Sequence, residues 1–439
     1  MYIQIIRALS TLCLVSILQA CGASDSDGDG SISSGITYTF SLRASLANQC
    51  SVETPFTQIE LLLQDENWQW LESYSADEEG VITFTTTDKY INFTLVGKSQ
   101  EGDGEESLDI VSYYQANSAT PTVYRATYDS LQDNARCECL SHDLLVRHRT
   151  ITDVTAVDSS QEFDYWESVS TQSTRFGNVT LCREVDQDWP ITSFMVQGTN
   201  DGNKLIGAAD FMNDFSEASD EWSLSAVEVG EEINLDETHQ TLTQSQLFVD
   251  DEHFTAGIAE NASSTLVFNS HLYVNESLYK TIATYPISET SSVFGKSSIT
   301  SQRQVISSDY STALANSAPE EKVNIDSVNF SELSDEGNYD YSEIKNYPMA
   351  IISFSYEFTA TKAKWTMFGP NTGILPISAV LYGYEGIIDN DSYISQTEVI
   401  LLKSDDSDDY DDYIMHYQDP SIDDFEKGLS SYHLNIVLQ

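Results

Sequence analysis

Hydrophobic and polar residues alternate with a period of two through much of this chain. The alternation is clearest in residues 59–64, 82–85, 91–95 and 352–359. Successive side chains of a β-strand point to opposite faces of the sheet, so this period predicts strands with one buried face. Residues 399–402 are continuously apolar and predict a more fully buried strand.

Turn-forming residues separate these runs. The acidic, glycine-bearing segment 77–80 lies where a turn belongs. Residues 200–203, which read Asn-Asp-Gly-Asn, predict a hairpin that joins strands at 194–197 and 205–209.

No stretch has convincing helical periodicity of useful length, and only short helices, around residues 319–323 or 423–428, fit the sequence. Ser, Thr and Tyr are abundant, which fits strands better than helices. We therefore predict an all-β fold of tandem antiparallel β-sandwich-like modules on a flexible N-terminal tether. The alternative is a β-propeller-like C-terminal region, although no common spacing relates the four later tryptophans, Trp166, Trp189, Trp222 and Trp365.

The predicted organisation has five parts. Residues 1–20 are a signal peptide, and residues 21–35 form an acidic tether of Gly, Ser and Asp that is too polar to build a core. Residues 36–98 form a small β-sandwich module. Residues 107–230 form a β-rich module that contains disulfides, and residues 231–439 form a C-terminal β-rich domain.

The charge balance of the chain is strongly acidic. It has 70 Asp and Glu against 20 Lys and Arg, a formal net charge of -50. Such a body repels nucleic acid and anionic lipid surfaces, so we exclude nucleic acid as a partner. A solvated acidic surface suited to a salty medium explains this composition, and a cation-dependent role is the alternative.

Four cysteines follow Cys21 in the sequence. They are Cys50, Cys137, Cys139 and Cys182. In an oxidising compartment an even number predicts two disulfides. Cys137 and Cys139 are too close in sequence for easy mutual bridging, so each is expected to pair with Cys50 or Cys182. Both such connectivities remain open, and either one ties the first module to the second. A metal or redox site at Cys137-x-Cys139 is the alternative.

The N-terminus carries an export signal that ends at a cysteine. Arg7 precedes an apolar run at residues 8–18, which is too short to span a bilayer, and the run leads to Leu18-Gln19-Ala20-Cys21. These residues resemble the lipobox of bacterial lipoproteins. The resemblance implies cleavage before Cys21, diacylglycerol on its sulfur and an acyl chain such as palmitate on its amine. It also implies anchoring in the cell envelope, at the outer membrane, because no acidic residue follows Cys21 directly. The alternative is an ordinary secretory signal cut near Ala20.

The first module has a second, less specific resemblance. Residues 77–84 read Asp-Glu-Glu-Gly-Val-Ile-Thr-Phe, and residues 90–95 read Tyr-Ile-Asn-Phe-Thr-Leu. This rhythm is similar to that of the prealbumin-like and immunoglobulin-like β-sandwich repeats of exported bacterial proteins. It implies a small sandwich over about 60 residues.

One segment of the tether resembles the first part of an EF-hand calcium loop. Acidic oxygens stand at Asp25, Asp27 and Asp29, a glycine follows, and Ser31 occupies the seventh place. Calcium prefers six to eight oxygen ligands, which alternate side chains in a tight loop can supply. The twelfth place, where a bidentate carboxylate is expected, is Ile36. The resemblance implies a calcium site, whereas an acidic low-complexity stalk produces the same pattern.

Other clusters of acids and histidines are weaker candidates. Oxygen-rich stretches lie at residues 250–253, 389–391 and 405–413, each of which also fits a polar turn or solvated loop. Seven histidines are present, but none belongs to a zinc motif; His142 and His148 would share one face of a regular strand. The seven are His142, His148, His239, His253, His271, His416 and His433.

No catalytic signature appears along the chain. A nucleophile elbow, a phosphate-binding glycine loop and a dinucleotide fingerprint are all missing. Trp68, Trp70 and Trp365 could form a sugar-binding platform, but their strand-like context favours core packing. The sequence therefore predicts a non-enzymatic, lipid-anchored envelope protein with an interaction, adhesion or structural role and a protein or glycan partner. A carbohydrate-binding or carbohydrate-cleaving lipoprotein and a calcium-dependent binding module are the alternatives.

Overall fold

Strands dominate the computed structural model of this protein. It describes residues 36–100, 106–126, 136–149, 151–202, 205–212, 215, 221–226, 228–234, 243–249, 252–259, 264–267, 278–292, 295–307, 312, 316, 338–344, 346–357, 361–376, 381–384, 393–419 and 428–438. The strands of the first half are β1 (Tyr38–Ala47), β2 (Glu53–Pro55), β3 (Ile59–Gln64), β4 (Trp70–Ser75), β5 (Val81–Thr86), β6 (Tyr90–Gln100), β7 (Glu106–Asn117), β8 (Thr122–Ala126), β9 (Cys137–Arg147), β10 (Asp153–Ser159), β11 (Tyr165–Ser170), β12 (Ser173–Glu184), β13 (Thr192–Thr199), β14 (Leu205–Met212), β15 (Glu221–Ser225) and β16 (Glu228–Val229).

The second half of the chain adds further strands and a helix. They are β17 (Glu231–Asn234), β18 (Thr243–Val249), β19 (Glu252–Ala259), β20 (Ser264–Val267), β21 (Leu278–Ser292), β22 (Gly295–Ser307), β23 (Asn338–Asp340), β24 (Met349–Glu357), β25 (Thr361–Pro370), β26 (Thr372–Ile374), β27 (Tyr393–Ser404), helix α1 (Tyr410–Gln418) and β28 (Gly428–Leu438).

A sheet of 12 strands, which we call the main sheet, is the centre of the fold. Its order is β19-β18-β21-β22-β28-β27-β24-β25-β7-β6-β3-β4. Neighbouring strands are antiparallel except β7 and β25, which run parallel with Glu106 opposite Thr361 and Tyr113 opposite Phe368. This pair joins a strand from the first third of the chain to one from the last third.

One face of the main sheet is covered by a small sheet and by α1. The small sheet has β1 between β2 and β5, with β8 also paired to β1 in parallel. Phe40 stacks on Phe84 with ring centroids 4.8 Å apart and meets Phe93 of the main sheet edge-on at 5.2 Å. Tyr413 and Ile414 of α1 are buried in the same apolar cluster. Aromatic contacts across the two layers therefore hold this first sandwich together.

The opposite face of the main sheet is also buried. Both Leu61 and Leu62 are inaccessible to solvent, although they point to opposite faces of β3. The prediction of one buried face is therefore wrong for β3, because the segments around Tyr339 and Leu381 cover the second face. Two-sided burial also explains how Gln64, a polar residue, lies in the interior.

A chain of hydrogen bonds satisfies polar groups inside the main sheet. The Thr94 hydroxyl donates to Gln64 Oε1 (2.7 Å) and shares a 2.8 Å bond with Ser112 Oγ. Trp365 Nε1 donates to Ser112 Oγ at 2.9 Å. Buried polar groups are stable when they are paired in this way. These hydrogen bonds cross β3, β6, β7 and β25, so they fix the first third of the sequence to the last third.

The middle of the chain forms a second sandwich. One sheet has the order β10-β13-β14-β16 and the other the order β11-β12-β9-β15. Their facing sides bury an apolar cluster that includes Leu144, Phe176, Phe194 and Trp222. The predicted hairpin is confirmed, since β13 and β14 pair antiparallel on either side of residues 200–202.

The all-β, sandwich-like fold class is confirmed. The propeller-like alternative is wrong for the described strands, because β21, β22, β24, β25, β27 and β28 join one continuous sheet and form no four-stranded blades. The main sheet also runs across the predicted module boundaries. Strands β6 and β7 flank the boundary between residues 98 and 107 and pair along their length, and residues 37–439 form one compact unit.

Candidate functional site

The predicted lipidation and calcium residues lie outside the described part of the chain. This holds for Cys21 and for Asp25, Asp27, Asp29 and Ser31, so their roles stay predictions. Among the described residues, no helix combines the length and apolarity needed to cross a bilayer.

The four remaining cysteines meet at one place and form two disulfides. Cys50, in the loop after β1, bonds to Cys137 at the start of β9, and Cys139 bonds to Cys182 on the neighbouring strand β12. The sequence left two connectivities open, and the structure has the one that pairs Cys50 with Cys137 and Cys139 with Cys182. Cys137 Sγ and Cys139 Sγ lie 4.0 Å apart. The Sγ atoms of Cys50, Cys137 and Cys139 lie within 4.8 Å of one another, but all are oxidised and therefore poor metal ligands.

An open cleft of about 730 Å³ borders the two disulfides. Its lining includes Cys50, Cys182, Glu162 and Arg183. Arg183 pairs with Glu138, and its guanidinium lies 4.0 Å from the centroid of the Trp189 ring. The cleft therefore combines accessible sulfur with polar and charged groups.

The acidic stretch 405–413 is largely paired with protein groups. Arg303 makes a two-pronged contact with the Asp405 carboxylate, at 2.6 and 3.3 Å. Tyr90 donates to Asp411 (2.7 Å), and Ser407 donates to Asp412 (2.5 Å). These contacts satisfy several of the carboxylates without a cation.

The same stretch begins helix α1, which the sequence analysis missed. The Asp409 side chain accepts a hydrogen bond from the Asp411 backbone N–H and so caps the N-terminus of the helix. Tyr410, Tyr413 and Tyr417 recur at helical spacing and face buried surfaces. That spacing, which the acids obscured, is the signal that could have predicted the helix.

The described histidines fill structural roles. His142 packs edge-on against Trp222 at 4.8 Å, and the buried His148 shares a 3.0 Å hydrogen bond with Thr174 through Nε2. Burial lowers the pKa of His148. Two histidines on one strand face could hint at a metal site, but this pair gains no third ligand among the described residues. His239, His271 and the acidic segment 389–391 lie outside the described residues, as do Asp250, Asp251 and the side chain of His253.

A polar cavity on the main sheet is lined by His433, which forms a pair with Ser431 that was not singled out from the sequence. The Ser431 hydroxyl and His433 Nε2 share a 2.7 Å hydrogen bond, since residues two apart on β28 share a face. The cavity, about 220 Å³, is lined by Ser298, Thr300, Gln302, Glu398, His433 and Asn435. Burial lowers the pKa of His433 to about 4, so the imidazole is neutral near pH 7 but a weak base. We therefore assign no hydrolytic role to this pair.

Exposed aromatic and aliphatic side chains lie at one end of the main sheet. Trp70 and Tyr382 stack with ring centroids 4.2 Å apart and an interplanar angle of 16°. Trp70, Leu71 and Tyr382 are 42%, 54% and 51% exposed, and we call these three residues the β4 edge patch. Core packing, favoured from sequence for the three candidate tryptophans, holds for Trp68 and Trp365 but is wrong for Trp70.

The patch lies on a sheet edge, because β4 ends the main sheet and pairs only with β3 among the described strands. Beside the patch, Tyr384 donates a 2.9 Å hydrogen bond to Glu60, and Lys98 Nζ lies 5.0 Å from the Tyr384 ring centroid. An edge strand with large exposed apolar side chains is a surface suited to a partner.

Comparison with known proteins assigns no family. No protein-family model matches the sequence, and no curated protein matches it. A solved structure that resembles part of the chain is that of a candidate adhesin from Bacteroides ovatus, which is 8% identical. The match covers 48% of this chain and 99% of the other, with a TM-score of 0.14. A likeness this distant carries no argument about function.

Proposed function

We propose that this chain is a lipid-anchored protein of the cell envelope whose strand-built body binds another protein. The residues Leu18-Gln19-Ala20-Cys21 support the anchor, and the acidic segment 21–35 would act as its tether. Two or three acyl chains would hold the body at the outer membrane.

The β4 edge patch is the observation that carries the proposed binding role. A strand edge has backbone N–H and C=O groups that an extended polypeptide can pair with, and side-chain pockets or rings beside it add specificity. Trp70, Leu71 and Tyr382 would cover apolar side chains of the incoming strand. The net charge of -50 favours a partner segment that is basic or neutral.

Site-specific photo-cross-linking in cells tests this role. A photoactivatable residue at the exposed Ser75 of β4 is expected to give a discrete adduct with one partner protein. Leu71→Lys should abolish that adduct, because a lysine at a sheet edge opposes strand addition. Val185→Lys is the matched control, since Val185 is also exposed (41%) and its substitution changes the charge equally. No adduct at Ser75, or an adduct that survives Leu71→Lys, contradicts the proposal.

A glycan partner is the second candidate, and the Trp70–Tyr382 stack favours it. Flat exposed rings offer apolar faces to sugar rings, with Ser73 nearby as a hydroxyl that accepts from Trp70 Nε1 at 3.0 Å. Glycan binding should survive Leu71→Lys and be lost in Trp70→Ala. A protein partner should be lost in both. An array of bacterial and host glycans probed with the full-length protein and these variants separates the two candidates.

The anchor is tested separately. Mass spectrometry of the protein extracted from cells should find an acylated N-terminal Cys21, and Cys21→Ser should release the chain from the membrane fraction. An unmodified thiol at Cys21, or a wild-type chain free in the soluble fraction, contradicts the lipoprotein assignment.

A further inference from the structure

The two disulfides are close enough to exchange partners. Cys139 is exposed, its partner Cys182 lines the open cleft, and the Cys139 and Cys137 sulfurs are 4.0 Å apart. A disulfide that solvent reaches is open to attack by a thiol. We propose that these four cysteines form a thiol-exchange site, which a small thiol in the envelope converts from one disulfide pairing to another.

The first step is reduction of the accessible Cys139–Cys182 bond. The thiolate of a small thiol, RSH, attacks one sulfur of this bond and forms a mixed disulfide, while the other sulfur leaves as a thiolate and takes up a proton. A second RSH resolves the mixed disulfide and departs as RSSR. Cys139 and Cys182 are then thiols, and two RSH have been oxidised.

The second step takes place within the protein. The Cys139 thiolate attacks Cys137 Sγ, the Cys137–Cys50 bond breaks, and its electron pair leaves on the Cys50 sulfur. Cys50 takes up the proton that Cys139 lost. Disulfide exchange requires three sulfurs nearly in line; rotation of the exposed Cys139 side chain, freed from Cys182, allows this alignment. The products are a Cys137–Cys139 disulfide and thiols at Cys50 and Cys182. The short spacing in sequence disfavours this disulfide, but the 4.0 Å separation of the two sulfurs brings them within reach of each other.

The exchange would change how the two sandwiches are connected. Cys50 lies in the loop between β1 and β2 of the first sandwich, and Cys137 begins β9 of the second. The Cys50–Cys137 disulfide is the covalent cross-link between the two sandwiches. The Cys139–Cys182 disulfide joins neighbouring strands of one sheet. The new disulfide lies within β9 and would leave the backbone as the remaining covalent link between the two sandwiches.

A matched pair of variants of the full-length protein tests the exchange. Cys182→Ser and Cys139→Ser remove the same disulfide, so any effect on folding from losing it is common to both. In Cys182→Ser, the Cys139 thiol lies beside the Cys137–Cys50 bond. We expect exchange without added reductant, with Cys50 alkylated by N-ethylmaleimide. In Cys139→Ser, only Cys182 should be alkylated.

Peptide mapping distinguishes the outcomes. Trypsin should give the peptide 137–147, in which the new disulfide is internal, and separate peptides 44–89 and 176–183 for Cys50 and Cys182. An alkylated Cys139 with an unlabelled Cys50 in the Cys182→Ser variant overturns the proposal.

The wild-type protein gives an independent test that needs no variant to fold. The protein is treated with a limiting amount of glutathione and then alkylated with N-ethylmaleimide. The alkyl label should appear on Cys50 and Cys182, and peptide 137–147 should contain an internal Cys137–Cys139 disulfide. The rate should rise with pH as the thiolate fraction grows. Two results overturn the proposal. One is alkylation of Cys139 and Cys182 while the Cys50–Cys137 disulfide stays intact, which is reduction without exchange. The other is alkylation of Cys50 and Cys137 first, which means that the other disulfide is the one reduced.

Discussion

The Tyr124 hydroxyl donates a 2.9 Å hydrogen bond to the Asp109 carboxylate across the first sandwich. Burial raises the pKa of Asp109, whereas the bond from Tyr124 and the charge of Lys364 oppose that rise. Gly97 makes the contact possible, because a Cβ at this position would collide with the Tyr124 hydroxyl. The three residues thus form one unit in which a missing side chain leaves room for a buried hydrogen bond.

Disrupting this unit should destabilise the protein. Tyr124→Phe removes the donor to a buried carboxylate and should lower the free energy of unfolding by about 1–3 kcal/mol. Gly97→Ala should cost about as much, because the Tyr124 ring must move. Urea denaturation measures both. Tyr165→Phe, at an exposed ring, is the control and should change stability by less than about 0.5 kcal/mol. Equal effects of the two Tyr→Phe variants would show that the Asp109 contact contributes nothing.

The stability of the protein should depend on pH through His433. Its pKa is lowered to about 4 in the folded state from an ordinary value of 6.5, so the unfolded chain binds a proton first as the pH falls. This group's contribution is fully present above about pH 6.5 and is lost as the pH falls to about 4, a change of about 3 kcal/mol.

The variant His433→Gln isolates this contribution, because the many carboxylates titrate equally in both proteins. The free energy of unfolding, measured from about pH 7 to about pH 4, should fall more steeply in wild type than in the variant. Parallel curves would mean that His433 is not held neutral by the fold.

Helix α1 should depend on its cap. Asp409→Ala removes the side-chain acceptor for the Asp411 N–H and should cost about 0.5–2 kcal/mol. Asp408→Ala is the matched control, since it removes the same charge one residue earlier and leaves the cap intact. Thermal unfolding of the two variants gives the comparison. If Asp408→Ala is as destabilising as Asp409→Ala, the effect is one of charge and not of capping.

The acidic surface predicts a response to salt. With a net charge of -50, self-repulsion opposes the folded state, and added ions screen it. The melting temperature should therefore rise with sodium chloride, whereas an uncharged solute at matched osmolarity should not reproduce the dependence on ionic strength. A melting temperature indifferent to ionic strength would show that the acids are already compensated by local partners, as Asp405 is by Arg303.

The tether segment allows a direct test for calcium. If Asp25, Asp27, Asp29 and Ser31 coordinate the ion, titration calorimetry of the full-length protein should detect binding that is lost in Asp25→Asn/Asp27→Asn. A similar substitution at Asp408 and Asp411 tests the acidic stretch 405–413. Heat that persists in the tether variant would assign binding elsewhere, and no heat in wild type would remove calcium from the list of ligands.

Local patterns predicted local structure well. The period-two runs became strands, and residues 200–202 became the turn between β13 and β14. Helix α1 was missed because nine acid-rich residues suggested a loop, although Tyr410, Tyr413 and Tyr417 carry the helical period. Likewise Trp68 and Trp70 share an alternation but differ in burial, since Trp68 has a positive φ of 60° and donates through Nε1 to the Ile374 carbonyl.

Long-range pairing could not be predicted in this way. Nothing in β7 or β25 by itself indicates that they are parallel neighbours, because the contact between Ser112 and Trp365 joins residues 253 apart in sequence. The cluster of four sulfurs and the β4 edge patch depend on the same distant contacts. For the disulfides, sequence separation alone limited the connectivities to two but could not choose between them.

The parallel pairing of β7 with β25 has a consequence for how this protein reaches its native state. Contacts between residues this far apart in sequence form slowly, because a long loop must close before the contacts stabilise the structure. If the chain is exported from its N-terminus, as proposed, strands β3, β6 and β7 would emerge long before β25, with apolar surface uncovered. A chain exported in this way should consequently rely on a holding chaperone until residues 361–370 have emerged.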